Sequence, residues 1–177
     1  MDGHKRATGE KLRDFILGAQ DGIVNVLGLV LGVASATFST KIVLISGVAG
    51  LFAESISMGA VAFTSSKAAR DYFKGRKEAE LYKNPINIGL FVLAATVMGS
   101  LVPLIPFFFL SVKSGIFGSV ILSGVILFII GAIKARFTKG DWRKSGIEML
   151  LVGLIAAVAG YFIGILLGQV FGVSPAA

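Results

Sequence analysis

The chain has 177 residues, no cysteine, one histidine and a net charge of +7; 55% of its residues are hydrophobic and only 15% are charged. Soluble domains carry roughly 25% charged residues, so this composition, with a mean hydropathy of +0.85, reads as an integral membrane protein with one membrane domain and no second large soluble one. The missing cysteines exclude disulfides, thiolate metal sites and cysteine nucleophiles, and His4 alone cannot build an imidazole cluster within one subunit.

Five apolar stretches can be marked, at 15–37, 42–66, 86–110, 115–133 and 147–170. Each is close to the roughly 20 residues that a helix needs to cross the hydrocarbon core. Lys5, Arg6, Lys11 and Arg13 precede the first stretch; Lys67, Arg70, Lys74, Arg76, Lys77 and Lys83 follow the second; Lys134, Arg136, Lys139, Arg143 and Lys144 follow the fourth. Only Lys41 and Lys113 occupy the other two connections, and no basic residue follows the fifth stretch. This alternation places the N-terminus in the cytosol and the C-terminus outside or in a lumen. It also accounts for the positive charge without nucleic acid. The expected organisation is all-α, with a cytoplasmic tail at 1–14 and a single five-helix membrane domain at 15–177. Its short basic cytoplasmic connections fall at 67–85 and 134–146. The polar start and the long first apolar run do not read as a cleavable signal peptide.

In chain order, the first stretch is glycine-rich, with Gly18 and Gly22, then Gly28 and Gly32, each pair four residues apart. Such spacing lets another helix approach closely. Asp21 and Asn25 share one face of this helix. The second helix is expected to run from Lys41 to Phe73, about 50 Å at 1.5 Å per residue, so its cytoplasmic end projects into water. Glu54 and Met58 lie one turn apart on it, flanked by Ser55 and Ser57. Asn84-Pro85 reads as an N-cap followed by proline in the first turn. The third helix holds Pro103 and Pro106, which predict a kink or carbonyls freed for an ion. The fourth has no central ionisable residue and reads as structural, with Trp142 following at the cytoplasmic interface. The fifth is expected to open at Glu148-Met149, the carboxylate facing the helix dipole. It ends with Gly160, Gly164 and Gly168, a packing signal. Met98 and Met149 read as packing residues.

The chemistry concentrates in three side chains. A charge at bilayer depth costs at least about 3 kcal/mol, so a helix that keeps Asp21 or Glu54 usually uses it. Two carboxylates can neutralise one divalent ion, and the Met58 thioether shifts preference away from Mg²⁺ and Ca²⁺ towards Fe²⁺, Mn²⁺, Co²⁺ or Zn²⁺. Without metal the same acids favour protons, which makes metal-for-proton exchange chemically available. Other readings of these residues stay open. Asp21 could pair with Arg13 or sit at a wet membrane edge, Glu54 could be structural, and Met58 could be core filler. No nucleophile–base pair, phosphate loop or redox motif is visible, so no enzyme and no cofactor is expected.

Four segments, in order, carry a resemblance. Arg13-Asp14 through Gly18 to Asp21-Gly22, Glu54 through Ser57-Met58-Gly59, Gly99 through Pro103 and Pro106, and Ser145-Gly146 through Glu148 and Gly153 to Tyr161 and Gly164 resemble the vacuolar iron transporter family. The resemblance covers almost the whole chain. It implies a five-helix homodimer that exports Fe²⁺, and often Mn²⁺, from the cytosol in exchange for protons, with a path near the dimer interface. Asp21 and Met58 would be metal-handling positions; the carry-over to Glu54 is looser. Vacuolar members bear a long Glu-rich helical domain between helices 2 and 3. This chain has only Asp71, Glu78 and Glu80 there among six basic residues, so it looks like a compact, prokaryotic-type member.

The expected metal ligands are therefore Asp21, Glu54 and Met58, with Asn25, Glu78 and Glu80 as further candidates. The expected partners are divalent metal ions, protons, membrane lipids and a second copy of the chain, with the pair held through helix 1. The expected location is a prokaryotic cell membrane, or a vacuolar-type membrane in a eukaryote. A cation channel or uncoupled carrier using the same acids, and a non-transporting membrane scaffold, are the alternatives.

Overall fold

A computed structural model describes residues 2–173, with side chains from Thr8 onward. Five α-helices follow one another: α1 (Asp2–Thr37), α2 (Thr40–Tyr72), α3 (Pro85–Phe109), α4 (Val112–Thr138) and α5 (Trp142–Val170), with a 3₁₀ segment at Lys77–Tyr82 before α3. There are no strands among the described residues. All five helices are long and apolar enough to cross a membrane. Their outer surfaces carry Ile45, Phe52, Ile56, Phe117, Ile121 and Phe162 exposed, as expected of a bundle solvated by hydrocarbon and not by water.

The helices outrun the apolar stretches. Residues 2–14, expected as a tail, continue α1 without a break. His4 has no described side chain. At α5 the helix begins at Trp142, where the Asp141 side chain accepts from the amides of Arg143 and Lys144 at 2.9 and 3.4 Å. Glu148 is therefore well inside the helix rather than at its start, because Asp141, a good N-cap residue, begins the helix earlier. Glu148 reaches Lys134 at 4.0 Å instead. Lys139 adopts a left-handed φ of 54° and ends α4, with the Gly140 amide donating back to the Ala135 carbonyl. Asn84 and Pro85 start α3 as expected, although Asn84 makes no side-chain cap. Pro103 and Pro106 lie inside a continuous α3. The Ser119 hydroxyl of α4 donates to the Pro103 carbonyl at 2.8 Å, tying the two helices there.

The packing register shows how the helices run. Glycines of α1 meet α3 and α5 in ascending order. A Cβ on Gly18 would fall 2.7 Å from the Val92 carbonyl and one on Gly22 2.7 Å from the Ser100 hydroxyl. Gly28 faces Ala156, Gly32 faces Gly160, and Gly168 faces Ala36. So α3 and α5 run parallel to α1. Gly59 against Gly89 and Gly47 against Leu104 make α2 antiparallel to α3, and Gly131 against Ser145 with Gly153 against Leu127 make α4 antiparallel to α5. This alternation gathers the three basic groups at one end of the bundle.

The glycine pairs of helix 1 are thus occupied within the subunit. Close approach without a Cβ maximises dispersion contact between helices that lack a hydrophobic drive to associate in lipid. The triple glycine spacing of α5 serves the same α1–α5 crossing. One apolar core joins Val26, Leu27 and Val30 of α1 to Val43, Leu104, Phe107 and Ala157. A second joins Ala19 and Ile23 to Leu127, Ile130 and Met149. Residues of α1 enter both, so it is the central helix. Met149 packs as expected; Met98 does not, being 63% exposed on the outer face of α3.

Candidate functional site

The polar residues of α1 and α2 meet across a shallow cleft. α2 buries one narrow stripe, including Gly47, Leu51, Ser55, Gly59 and Ala62, and that stripe packs largely against α3. Residues on one flank of it, Gly50, Glu54 and Met58, lie one turn apart and are half-buried. On α1, Asp21 is half-buried and Asn25, one turn on, is exposed. Because α1 and α2 each lean more on α3 than on one another, a cleft of about 360 Å³ stays open between them. Asn25, Leu29, Gly50, Ala53, Glu54 and Ser57 line it. Leu29 fits only because Gly50 has no side chain to meet it.

Within the cleft the Asn25 amide donates to Glu54 Oε1 at 2.9 Å. The Asp21 carboxyl, one turn before Asn25 on α1, lies near enough to Glu54 for the two acids to interact electrostatically. Two carboxyls this near one another make the place favourable for a proton or a cation. Here Asp21 and Glu54 come from different helices, so whatever bridges them also ties α1 to α2. The Asn25 amide has a second hydrogen and an acceptor oxygen to spare for water or a ligand.

The fold rejects one reading of Asp21. Arg13 does not reach it, because its guanidinium is engaged by Glu10 and Asp14, each at 2.9 Å. Asp14 is buried and held by that contact. Met58 follows Glu54 by one turn on the same flank, half-buried, but does not line the cleft with it. Glu78 and Glu80 are brought to neither carboxyl. Both are exposed on the 3₁₀ segment. Glu80 pairs with Lys83 at 3.8 Å and lines a separate groove with Lys11, Asp14 and Asn87. No group of three or more His, Cys, Asp or Glu side chains could hold a metal ion among the described residues, so one copy supplies two carboxylates and no more at the cleft.

Sequence reading did not anticipate Gly50 and Ser57 as cleft residues, nor that Ser55, adjacent in sequence, turns inward and is 1% exposed. The available signal was the row Gly50, Glu54 and Met58 at four-residue spacing, which sets small, acidic and thioether groups on one flank.

Two segments of the chain, 12–83 and 74–165, match the model of the VIT family. The chain belongs to the VIT family. It is 28% identical to vacuolar iron transporter 1 of Eucalyptus grandis across 91% of this chain and 89% of that protein. It is 29% identical to an uncharacterized protein of Methanocaldococcus jannaschii across 85% of this chain and 87% of that one. It is also 28% identical to vacuolar iron transporter homolog 3 of Arabidopsis thaliana, across 96% and 88% of the two. The alignment with the Eucalyptus protein runs over 222 positions, against 167 and 178 for the other two and 177 residues in this chain. The two family matches meet at 74–83, in the connection between α2 and α3.

Proposed function

We propose that this VIT protein carries divalent transition-metal ions, Fe²⁺ foremost and Mn²⁺ second, out of the cytosol in exchange for protons. The observation that carries the reading is the approach of Asp21 to Glu54, with Asn25 bonded to Glu54, on two apolar helices. A pair of neighbouring acids between two helices is suited to hold a proton and a cation in turn. Metal arriving from the cytosolic side displaces the proton, and acid from the far side refills the carboxyls. Met58, one turn from Glu54, biases the choice towards the softer divalent ions. The names of the Eucalyptus and Arabidopsis relatives support iron as the cargo.

Two carboxylates and an amide leave a transition metal short of ligands, which favours a homodimer that brings two cleft faces together. With the glycine pairs consumed inside the subunit, the face left for the partner is the α1–α2 cleft itself, with Leu17, Leu29 and Phe52 exposed around it. Single cysteines at Leu29 or Phe52 test this in the cysteine-free parent. Cross-linked dimers in lipid are expected, and a monomer would refute the arrangement. The basic end faces the cytosol, in a prokaryotic cell membrane or, in a eukaryote, a vacuolar-type membrane.

The deciding experiment is uptake by proteoliposomes of Fe²⁺, Mn²⁺, Co²⁺, Zn²⁺ and Ca²⁺ with and without a pH gradient. Flux of Fe²⁺ or Mn²⁺ accelerated by the gradient is expected. Flux indifferent to the gradient would indicate a channel or uncoupled carrier, and no flux with assembly intact would indicate a scaffold.

A further inference from the structure

At the basic end of the bundle, away from the Asp21–Glu54 cleft, a second groove of about 420 Å³ opens between α4 and the start of α5. Its floor is Phe128, Ile129, Ala132 and Ile133, and its mouth is formed by Arg136 and Trp142. The floor lies on a helix that is long and apolar enough to cross a membrane, so it opens to hydrocarbon. Trp142 stands edge-on to Phe128 with ring centres 6.1 Å apart and carries the Arg143 guanidinium 5.2 Å above its ring. The indole thus divides an apolar trough from a cationic rim.

The rim has an excess of positive charge with few internal partners. Arg136, Lys139 and Lys144 are exposed and have no ion pair among the described residues. The acids on these elements are already engaged. Asp141 accepts from two amides of the α5 N-terminus, and Glu148 turns to Lys134 at 4.0 Å. A ligand with a fatty tail and an anionic head satisfies both halves, and no water-soluble ligand would fill the trough.

We propose that this groove binds one anionic glycerophospholipid per subunit, with an acyl chain along Phe128–Ile133 and the phosphate at Arg136 beside the Trp142–Arg143 pair. The proposal rests on the membrane-spanning reading of α4 and α5 and not on transport. Charge at the rim supplies selectivity over zwitterionic lipid, and the trough supplies a fixed position that a diffuse basic surface lacks.

Trp142 is the only tryptophan, so it reports its own neighbourhood. The full chain is reconstituted in phosphatidylcholine vesicles, and brominated phosphatidylglycerol or brominated phosphatidylcholine is titrated in while Trp142 fluorescence is followed. Half-maximal quenching is expected at an about fivefold lower mole fraction of the anionic lipid, the preference of roughly one well-placed positive charge. Arg136→Gln should remove most of that preference without moving the phosphatidylcholine curve. Lys113→Gln, at the opposite end of α4, should change neither. Ala132→Phe, which fills the trough, should weaken quenching by the anionic lipid. Coincident wild-type curves for the two lipids would overturn the proposal, a result that needs no variant to fold. So would a phosphatidylglycerol preference that survives both Arg136→Gln and Ala132→Phe.

Discussion

Replacing Asp21 with Asn tests the site most directly, because the amide keeps the carboxyl's shape and loses its charge. The working case is two neighbouring carboxyls with charge centres about 4 Å apart. At an effective dielectric of about 20 their repulsion is about 4 kcal/mol, and each attracts a divalent ion at that distance by about 8 kcal/mol. Loading the ion onto both acids gains about 16 kcal/mol of attraction but restores about 4 kcal/mol of repulsion once the shared proton leaves. With a single acid the gain is about 8 kcal/mol, a net loss of about 4 kcal/mol, or about three orders of magnitude in affinity. The half-exposed setting of Asp21 and Glu54 screens part of this, so a loss of about a hundredfold in metal affinity is expected. In proteoliposomes loaded with a metal-quenched dye and a pH dye, Asp21→Asn should lose Fe²⁺ flux and the proton counterflow together. Its circular dichroism and elution should match wild type. Metal and proton flux at the wild-type rate in a folded Asp21→Asn variant would refute the reasoning, because the carboxyl would then be structural.

Glu54→Gln should lower transport at least about tenfold while keeping the acceptor for the Asn25 amide; normal transport in the same flux assay would show that the charge is not used. Met58→Ala should weaken handling of Fe²⁺, Co²⁺ and Zn²⁺ several-fold more than that of Mn²⁺, read from competition among the ions, since sulfur favours the softer ones. Gly99→Ala should cost about 1–3 kcal/mol by overpacking, because its Cβ would fall within 3.0 Å of Ala19 backbone atoms. Gly28→Ala, whose Cβ would lie 3.4 Å from the Ala156 carbonyl, should change thermal stability little, and equal melting shifts for the two would contradict the packing register.

The five spans and the concentration of positive charge were legible in the sequence because solvation by hydrocarbon acts on composition alone. A run of apolar residues near bilayer length has to become helix to satisfy its own backbone. Asp21 and Glu54 were legible for the same reason, as costly charges in such runs. Asn25 could be placed beside Asp21 because helical periodicity is local. What the sequence could not specify is which helix faces which. Gly18, Gly22, Gly28 and Gly32 announce close packing, yet nothing in their spacing names the partner. The tertiary structure assigns the first pair to α3 and the second to α5 within one subunit. The start of α5 depended on Asp141, a capping residue in a polar stretch whose effect appears only once the chain folds back. Above all, Asp21 and Glu54 are 33 positions apart on helices that both lean on α3. They come near one another because α3 separates α1 from α2 enough to open a cleft but keeps the two carboxyls close. That spacing belongs to the packing of three helices, and no pattern along any one of them records it.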